Sequence, residues 1–323
     1  MTYRKIAQLA GVSLSTVSKA LAGSGEISEE TAQRIWKIAE ENGVARPTYR
    51  KNRTSIRVAV MVPEIVSVFY SAYATEITNE LRKQGIEPAI YLCGFSQEKV
   101  SALIDKLVED ELADGVIILM EFACPRRLQI PLVQFTSNYC PGCDTIASDM
   151  ESGILEAVRY LSELGHRKIG FISEKNTQQK LDAFRSAMGR LALAQNEKYV
   201  FISDKRFAAI GEEAADYYLK LADRPTALLC AYDEVALGAI HVFQNNGVHI
   251  PENISIIGIN DIPSAAYASV PLTTISTYSV EMMQQCVKML LDHMKKQENH
   301  MIQNIRVGCR LIVRDTTARV REE

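Results

Sequence analysis

The sequence has few of the features that mark membrane or secreted proteins. No run of apolar residues reaches the roughly 20 that a helix needs to span a bilayer. The first residues, MTYRKIAQLAGVS, contain no apolar core of the kind found in secretory signals. The seven cysteines are scattered and odd in number, which fits thiols in a reducing compartment better than a disulfide framework. We therefore expect a cytoplasmic protein with no membrane partner.

Patterns that carry catalysis or metal binding are equally scarce. No Ser–His–Asp set, glycine-rich phosphate loop or carboxylate pair stands out. Cys140 and Cys143 form a C-x-x-C pair, and a redox or metal site with Cys124 as a third ligand is one interpretation. The pair lacks a second C-x-x-C or a histidine at ligand spacing, and the Pro-Gly between its cysteines is typical of a turn. The sequence thus predicts no enzyme, no metal site and no cofactor.

Charge is distributed unevenly along the chain. Residues 1–57 contain ten Lys and Arg against five Asp and Glu, a net charge of +5, while the whole chain carries −3. Residues 58–323 therefore carry −8. A basic end gains affinity for phosphates through counterion release, whereas an acidic body does not. The pattern indicates a head that binds nucleic acid, and the plain alternative is a solvated helical head.

Residues 1–46 predict a small domain of three short helices. Gly11 supplies a turn after the first helix, and Ser13 is expected to cap the second, LSTVSKAL. Ser28 is expected to cap the third. The apolar positions expected to face inward are Ile6, Leu9, Ala10, Val12, Val17, Ala20, Leu21, Ile35, Ile38 and Ala39. A tight glycine turn between the first two helices is typical of a helix-turn-helix.

In a helix-turn-helix, the start of the second helix meets base edges in the major groove. The candidate DNA contacts of this helix are Leu14, Ser15, Thr16, Ser18 and Lys19. Leu14 can contact a thymine methyl group, Ser15 can bond several bases, and Lys19 can reach guanine O6 and N7. Thr16 and Ser18 are alternatively phosphate contacts. The plain alternative for all five is that they solvate a helix.

This segment resembles the DNA-binding head of the lactose-repressor (LacI) family. The family pattern A-x-x-A-G-V-S-x-x-T-V-S-[RK] is intact from Ala7 to Lys19. The resemblance implies that Leu14, Ser15 and Lys19 occupy the main base-reading positions. It also implies a homodimer with two heads on a near-palindromic double-stranded DNA operator. The expected function is that of a transcriptional regulator, most simply a repressor, associated with the nucleoid.

Residues 47–57 form a short basic linker. Family members continue with Y-x-P-N-x-x-A-R-x-L, a hinge helix whose leucine wedges into the minor groove. Here Pro47 matches the family proline, Thr48 replaces the asparagine, and the alanine-arginine-leucine run is missing. The segment is roughly one helical turn short of the family spacing. We expect this basic segment to contact DNA phosphates, with Arg46 and Arg50 as DNA contacts, and not to bend the DNA by inserting a leucine. The alternative is a flexible tether.

The rest of the chain alternates β-rich runs with amphipathic helices. This alternation predicts an α/β body with parallel sheets covered by helices on both faces. A second series begins near Asp149, so two lobes are expected. Their predicted ranges are 58–148 with 277–306, and 149–276 with 307–317. The body also resembles the family's periplasmic-binding-protein-like body, with GHRKIGFI at 165–172 and IPENISIIGIND at 250–261.

The resemblance implies an effector site at strand ends that face a cleft between the lobes. The candidate residues are Phe69, Tyr70, Asp149, Lys180, Tyr232 and Asn260. Lys180 stands where the family has arginine and lacks the planar fork. Tyr232 replaces asparagine and adds a stacking face, and Asn260 replaces aspartate and removes a charge. These changes predict an aromatic or anionic effector rather than an ordinary sugar. The alternative is a filled, vestigial pocket, with control by a protein partner or by none.

Overall fold

The computed structural model describes residues 3–21, 27–41, 56–123, 130–136, 138, 140–296 and 300–320. The chain divides into two compact units, residues 1–56 and residues 57–323. The helices of the first unit are α1 Tyr3–Ala10, α2 Leu14–Leu21 and α3 Glu29–Glu41. Within the described residues, no helix combines the length and apolar character that crossing a membrane requires.

The first unit is a helix-turn-helix built around a small apolar core. Its buried residues are Ile6, Ala7, Ala10, Val17, Ala20, Leu21, Ile35, Trp36 and Ala39. Ser13 Oγ accepts a hydrogen bond from the Thr16 N–H at 3.0 Å, and Gly11 has φ +66°. The predicted turn and cap are therefore confirmed, as are the bounds of the second helix.

One inward position in this unit was predicted wrongly. Leu9 is 54% exposed, and Ala7 is buried in its place. At 3.6 residues per turn, Ile6 and Ala10 share an arc of roughly 100° with either Ala7 or Leu9, so periodicity does not choose between the two. The packing of α1 against α2 and α3 decides that the Ala7 side faces the core. Ile38 is half-buried against the core rather than within it.

The second unit contains two sheets with helices on both faces. The strands are β1 Val58–Val62, β2 Ala89–Leu92, β3 Gly115–Ile118, β4 Leu132–Phe135, β5 Asp144–Asp149, β6 Ile169–Glu174, β7 Val200–Ser203, β8 Ala227–Cys230, β9 Ser255–Asn260, β10 Thr273–Ser276, β11 Asn304–Gly308 and β12 Arg310–Ile312. The helices are α4 Val68–Lys83, α5 Gln97–Glu109, α6 Met150–Glu163, α7 Gln178–Arg190, α8 Ala208–Leu219, α9 Asp233–Asn245, α10 Pro263–Ala266 and α11 Ser279–Lys296.

Each sheet has six strands. The first has the order β11-β5-β4-β3-β1-β2 and is parallel throughout. The second has the order β12-β10-β9-β8-β6-β7 and is parallel except for β12, which pairs antiparallel with β10. Central strands such as β1 (VAVMV) are buried along their whole length, as strands covered on both faces must be. The predicted two-lobed α/β body is confirmed.

The chain crosses between the two sheets three times. The crossings lie between β5 and α6, between β10 and α11, and between β11 and β12. Helix α11 returns to the first sheet, where it packs on α4 and on β3, β4 and β5. We call the part built on the first sheet lobe 1 and the part built on the second sheet lobe 2. The carboxyl ends of both sets of parallel strands border a common cleft.

Candidate functional site

The exposed face of α2 carries most of the predicted base-reading side chains. Leu14 is 45% exposed although it is apolar, and Ser15, Ser18 and Lys19 are exposed beside it. Thr16 is half-buried, and its hydroxyl lies 2.7 Å from that of Ser13, so it belongs to the helix cap as much as to the surface. The opposite face of α2 packs into the core of the unit. The predicted contacts Arg46 and Arg50, and nearly all of the linker, lie outside the described residues.

The structure brings all six predicted effector residues to one cleft. It has a volume of about 860 Å³ and is lined by residues of both lobes, among them Phe69, Tyr70, Asp149, Lys180, Tyr232 and Asn260. Asp149 and Asn260 end strands, Phe69 and Tyr70 lie in the first turn of α4, Tyr232 directly precedes α9, and Lys180 lies on α7. Asp149 also caps α6, with its Oδ1 accepting from the Ser152 N–H at 3.3 Å. The roles of the six residues in ligand binding stay predictions.

Several lining residues are missing from the prediction, and four of them bear on the chemistry of the cleft. These four are Phe95, Phe135, Glu174 and Arg206. Phe135 and Glu174 end strands, and the other two follow strands within three residues. Applying the carboxyl-end rule to every strand, rather than only to positions known from the family, finds them.

The lobe 1 side of the cleft is an aromatic wall. Phe69 contacts Tyr70 edge-to-face with ring centroids 5.0 Å apart, and lies 6.0 Å from Phe135. Tyr70 in turn lies 6.0 Å from Phe95. Burial, followed by the charge of Glu64, raises the pKa of Tyr70 to about 12, so its phenol is neutral across the physiological range. This wall offers ring faces and edges to a ligand.

The lobe 2 side is polar and largely tied to the protein itself. Lys180 Nζ donates to the Ala231 carbonyl at 2.7 Å and lies 4.2 Å from the centre of the Tyr232 ring. Burial lowers the pKa of Lys180 to about 8. The Tyr232 hydroxyl donates to Glu174 Oε1 at 2.9 Å. Among the described residues, the Asn260 Nδ2 atom is buried without a hydrogen-bond partner, so it is a donor that a ligand can satisfy.

The lining of the cleft has an excess of acidic groups. Its acidic residues are Glu121, Asp149, Glu151, Glu174 and Asp182, and its basic residues are Lys180, Arg206 and Arg306. An anion entering the cleft meets more negative than positive side chains, which disfavours its binding.

Two acidic residues next to the site serve the fold. Asp233 is fully buried and accepts hydrogen bonds from the Ile262 N–H at 2.8 Å and from the Thr274 hydroxyl. Asp261 forms an ion pair with Arg314 at 2.7 Å. Both contacts fix the loop after β9, and they thereby hold Asn260 in its left-handed backbone conformation with φ +112°.

A buried group in lobe 1 has the composition of a metal site but not its geometry. His293 Nδ1 and His300 Nε2 lie 3.0 and 2.8 Å from the same oxygen, Oδ2, of Asp144. The two rings stack with centroids 3.9 Å apart and planes 12° from parallel. The nitrogen lone pairs therefore lie in separate planes, and a single ion cannot coordinate both rings in this arrangement. The group is a hydrogen-bonded tie between β5, α11 and the segment before β11.

The C-x-x-C pair lies inside the lobe 1 core. Cys140 and Cys143 are both buried, and the Cys143 thiol donates to Gln134 Oε1 at 3.6 Å. Cys124, the third thiol considered, lies outside the described residues.

Comparison with known sequences identifies both parts of the chain. Residues 2–45 match the family described as bacterial regulatory proteins, lacI family, and residues 158–317 match the periplasmic binding protein-like domain. The HTH-type transcriptional repressor CytR of Escherichia coli (strain K12) is 29% identical over 331 residues, which cover 98% of this chain and 96% of CytR. The repressor PurR of Aliivibrio salmonicida (strain LFI1238) is 28% identical over 317 residues, covering 92% and 93%.

Solved structures share the fold along nearly the whole chain. The lac repressor dimer bound to operator and the anti-inducer ONPF superposes with a TM-score of 0.74 at 21% identity, covering 98% of this chain and 99% of that one. The complex of the transcriptional regulator CelR with cellobiose gives a TM-score of 0.71 at 24% identity, with the same coverage. From the two family matches, the full-length relatives and this common fold, the chain belongs to the lacI family of bacterial regulatory proteins: it is a DNA-binding transcriptional regulator and not an enzyme.

Proposed function

We propose that the chain is a homodimeric repressor whose affinity for its operator changes when a small organic molecule binds in the cleft between the lobes. One observation carries the effector part of the proposal: the six residues expected from the sequence line a single open cleft of about 860 Å³. Ligand pockets typically have volumes of roughly 300–1,000 Å³. This volume weighs against the alternative of a filled, vestigial pocket.

The chemistry of the cleft favours a planar, aromatic effector that is neutral or cationic. The wall of Phe69, Tyr70 and Phe95 provides stacking surface. The acidic excess of the lining disfavours anions, so of the two classes expected from the sequence the aromatic one is preferred. Asn260 Nδ2, at the end of β9 in lobe 2, supplies a donor, and Asp149, at the end of β5, supplies an acceptor. A heterocycle with its own donors and acceptors, such as a nucleobase or nucleoside, fits this description.

The proposed dimer is supported by an exposed apolar edge. Strand β2 lies at the edge of the first sheet, and its Ile90 and Leu92 are 48% and 60% exposed. Exposed apolar side chains on an edge strand mark a surface for pairing, and a two-fold dimer uses the same patch on both copies. Sedimentation equilibrium of Leu92→Glu checks this: we expect a shift to monomer. If Leu92→Glu remains a dimer, the interface lies on another surface.

We assign recognition of the operator sequence to the start of α2. The protein is proposed to act on DNA in the cytoplasm. Leu14, Ser15 and Lys19 are the proposed base contacts, with Thr16 and Ser18 toward phosphates. Arg46 and Arg50 are proposed to follow phosphates without a leucine wedge. Circular permutation of the operator tests the last point, since fragment mobility should depend little on the position of the site. A sharp central kink contradicts it.

DNA reading is tested by fluorescence anisotropy with the region upstream of the gene. Replacing Lys19 by Ala removes a base contact worth ~1–3 kcal/mol, so we expect roughly tenfold to hundredfold weaker specific binding. The matched control is Lys37→Ala, an exposed lysine on α3 of the same unit. If both variants bind as the original chain does, α2 is not the reading helix.

The effector is tested by thermal unfolding with nucleobases, nucleosides, sugars and sugar phosphates. A ligand at about 100 times its Kd stabilises the folded state by ~2.7 kcal/mol and raises the Tm. The variant Tyr232→Ala should lose that shift, while Tyr267→Ala, which is 88% exposed, should keep it. If no compound of the panel raises the Tm, the result favours the second candidate function, a DNA-binding regulator without a small-molecule effector.

A further inference from the structure

An arginine of lobe 2 reaches across the cleft to a carboxylate of lobe 1. Arg206 lies between β7 and α8, and Glu64 follows β1. The Arg206 Nη1 atom donates to Glu64 Oε2 at 2.7 Å, and Nη2 donates to Oε1 at 2.9 Å. This parallel pair of charge-assisted bonds is the geometry in which arginine binds carboxylates most strongly. Because its two residues belong to different lobes, the contact exists only while the lobes are close together.

The pair is better protected from water than an ordinary surface ion pair. The side chains of Arg206 and Glu64 are 35% and 15% exposed, compared with 57% and 68% for the similar pair of Arg82 and Glu87. Exposed ion pairs contribute little to stability because water screens them, and partial burial strengthens the attraction. The Arg206–Glu64 pair therefore has the larger energetic weight of the two.

The surroundings of the guanidinium belong to the cleft. It lies 5.6 Å from the ring centre of Phe95 in lobe 1 and 4.4 Å from that of Phe207 in lobe 2. Its Nε atom lies 3.5 Å from Glu174 Oε2, and this carboxylate also accepts from Tyr232. Arg206 is thus held between carboxylates of the two lobes, next to the proposed ligand wall.

The backbone that carries Arg206 is strained. Phe207, the next residue, has φ +57° and ψ −136°, which is a rare conformation for a bulky side chain. Such conformations are energetically unfavourable and persist where the surrounding structure requires them. Here the conformation begins α8 directly after the arginine.

We propose that Arg206 and Glu64 form a latch that holds the lobes closed and makes Arg206 a specificity-determining residue of the cleft. A neutral planar ligand lies against Phe95 and Tyr232 and leaves the latch intact. A carboxylate or phosphate has to displace Glu64 from the arginine fork and then lies beside Glu174. Closure thus selects against anions. The effect of lobe closure on operator affinity rests on the proposed function, whereas the closure of the lobes by this ion pair does not.

The latch is tested by the distance between the lobes in the full chain. Spin-labelled non-canonical residues replace the exposed Lys99 of lobe 1 and Ala194 of lobe 2, and double electron–electron resonance measures their separation. Labelled chain is diluted with unlabelled chain, so that each molecule contributes one pair. The test variants are Glu64→Gln and Arg206→Gln, and the control is Arg82→Gln. Circular dichroism checks that each variant is folded.

We expect both latch variants to shift or broaden the distances toward longer values, with Arg82→Gln unchanged. Adding Arg206→Gln to Glu64→Gln should then have little further effect, because the pair acts as one unit. Distances that stay the same in both single variants overturn the latch. Longer distances with unchanged operator affinity support the latch and count against the proposed coupling of the cleft to DNA.

Discussion

Lys180 Nζ lies 4.2 Å above the ring centre of Tyr232, and the same atom donates to the Ala231 carbonyl at 2.7 Å. The lysine is thus held between a ring face and a carbonyl of its own lobe. Burial opposes its positive charge and lowers its pKa to about 8. The arrangement makes the charge at this corner of the cleft dependent on pH in a range accessible to experiment.

A first prediction concerns this lysine and alkaline pH. The pKa of an unfolded lysine is about 10.4, so between about pH 8 and 10 the unfolded chain binds a proton at Lys180 that the folded chain does not. The free energy of unfolding therefore gains a contribution from Lys180 as the pH rises through this window. Lys180→Met lacks that gain. Thermal unfolding of the two proteins at about pH 7.5, 8.5 and 9.5, a series that begins below the folded pKa and stays below the unfolded one, should show the Tm of the original chain rising relative to the variant.

The control for this experiment is Lys37→Met, whose lysine is exposed. Its Tm should follow that of the original chain at every pH. A constant Tm difference between Lys180→Met and the original chain shows that the lysine stays charged in the folded protein.

A second prediction concerns Asp144 and acid. Burial raises the pKa of this carboxylate, but hydrogen bonds from His293, the Gln303 N–H and His300 together lower it below its usual value. The stabilisation is complete above the unfolded pKa of about 3.9 and is lost as the pH falls through the folded value. Asp144→Asn should lower the free energy of unfolding at neutral pH by ~1–3 kcal/mol, because it leaves buried hydrogen-bond donors without their acceptor.

Urea unfolding at pH 7, 5, 4 and 3 checks it, with these values chosen to bracket the unfolded pKa of about 3.9. The difference between Asp144→Asn and the original chain should shrink only below about pH 4. The exposed Asp216→Asn serves as the control and should show no such change. A loss of stability under ~1 kcal/mol at neutral pH contradicts the role of the cluster as a structural tie.

A third prediction compares two helical glycines. At Gly211 on α8, a Cβ would overlap the Val235 carbonyl oxygen of α9, so Gly211→Ala forces the two helices apart. Overpacking of this kind costs ~1–3 kcal/mol or more. At Gly189 on α7, a Cβ meets no atom within 4 Å, and Gly189→Ala should stabilise the helix by ~1 kcal/mol. Chemical denaturation of both variants should give opposite signs; destabilisation by Gly189→Ala runs against this argument.

A fourth prediction concerns the basic linker. If Arg50 contacts a phosphate, Arg50→Ala weakens binding to specific and nonspecific DNA by similar factors. It also reduces the slope of log Kd against log salt by ~1. Lys19→Ala should instead change the preference between sequences. Titrations at several salt concentrations on operator and scrambled DNA separate the two. An Arg50 variant with an unchanged slope rules out the phosphate contact.

The local features of this protein follow closely from its sequence. The turn at Gly11, the cap at Ser13 and the bounds of α2 are set by backbone preferences and by hydrogen bonds within a few residues. The same holds for the alternation of strands and helices, because apolar periodicity identifies each element. Leu9 shows the limit of this reasoning. Its position in an apolar pattern is a local property, but the direction of the helix face depends on the two helices that pack against it.

Positions that line the candidate cleft could be predicted where they lie at the ends of strands. Phe69, Tyr232 and Asn260 are named through the resemblance to the LacI family, and the carboxyl ends of parallel strands explain why these positions meet at one edge of a sheet. The contacts across the cleft could not be predicted from the sequence. Glu64 and Arg206 are separated by 142 positions in the chain, and no periodicity links them.

The sequence by itself determined the helix-turn-helix and the two α/β lobes, since each depends on local pattern and topology. Together with the family resemblance it also indicated six of the residues that line the cleft. Only the tertiary structure decided which charges pair, that two histidines share one aspartate, and that lobe 2 holds lobe 1 through Arg206. Those contacts require atoms from distant segments to lie within about 3 Å with the correct orientation. Such precision comes from the packing of the whole unit rather than from any one segment.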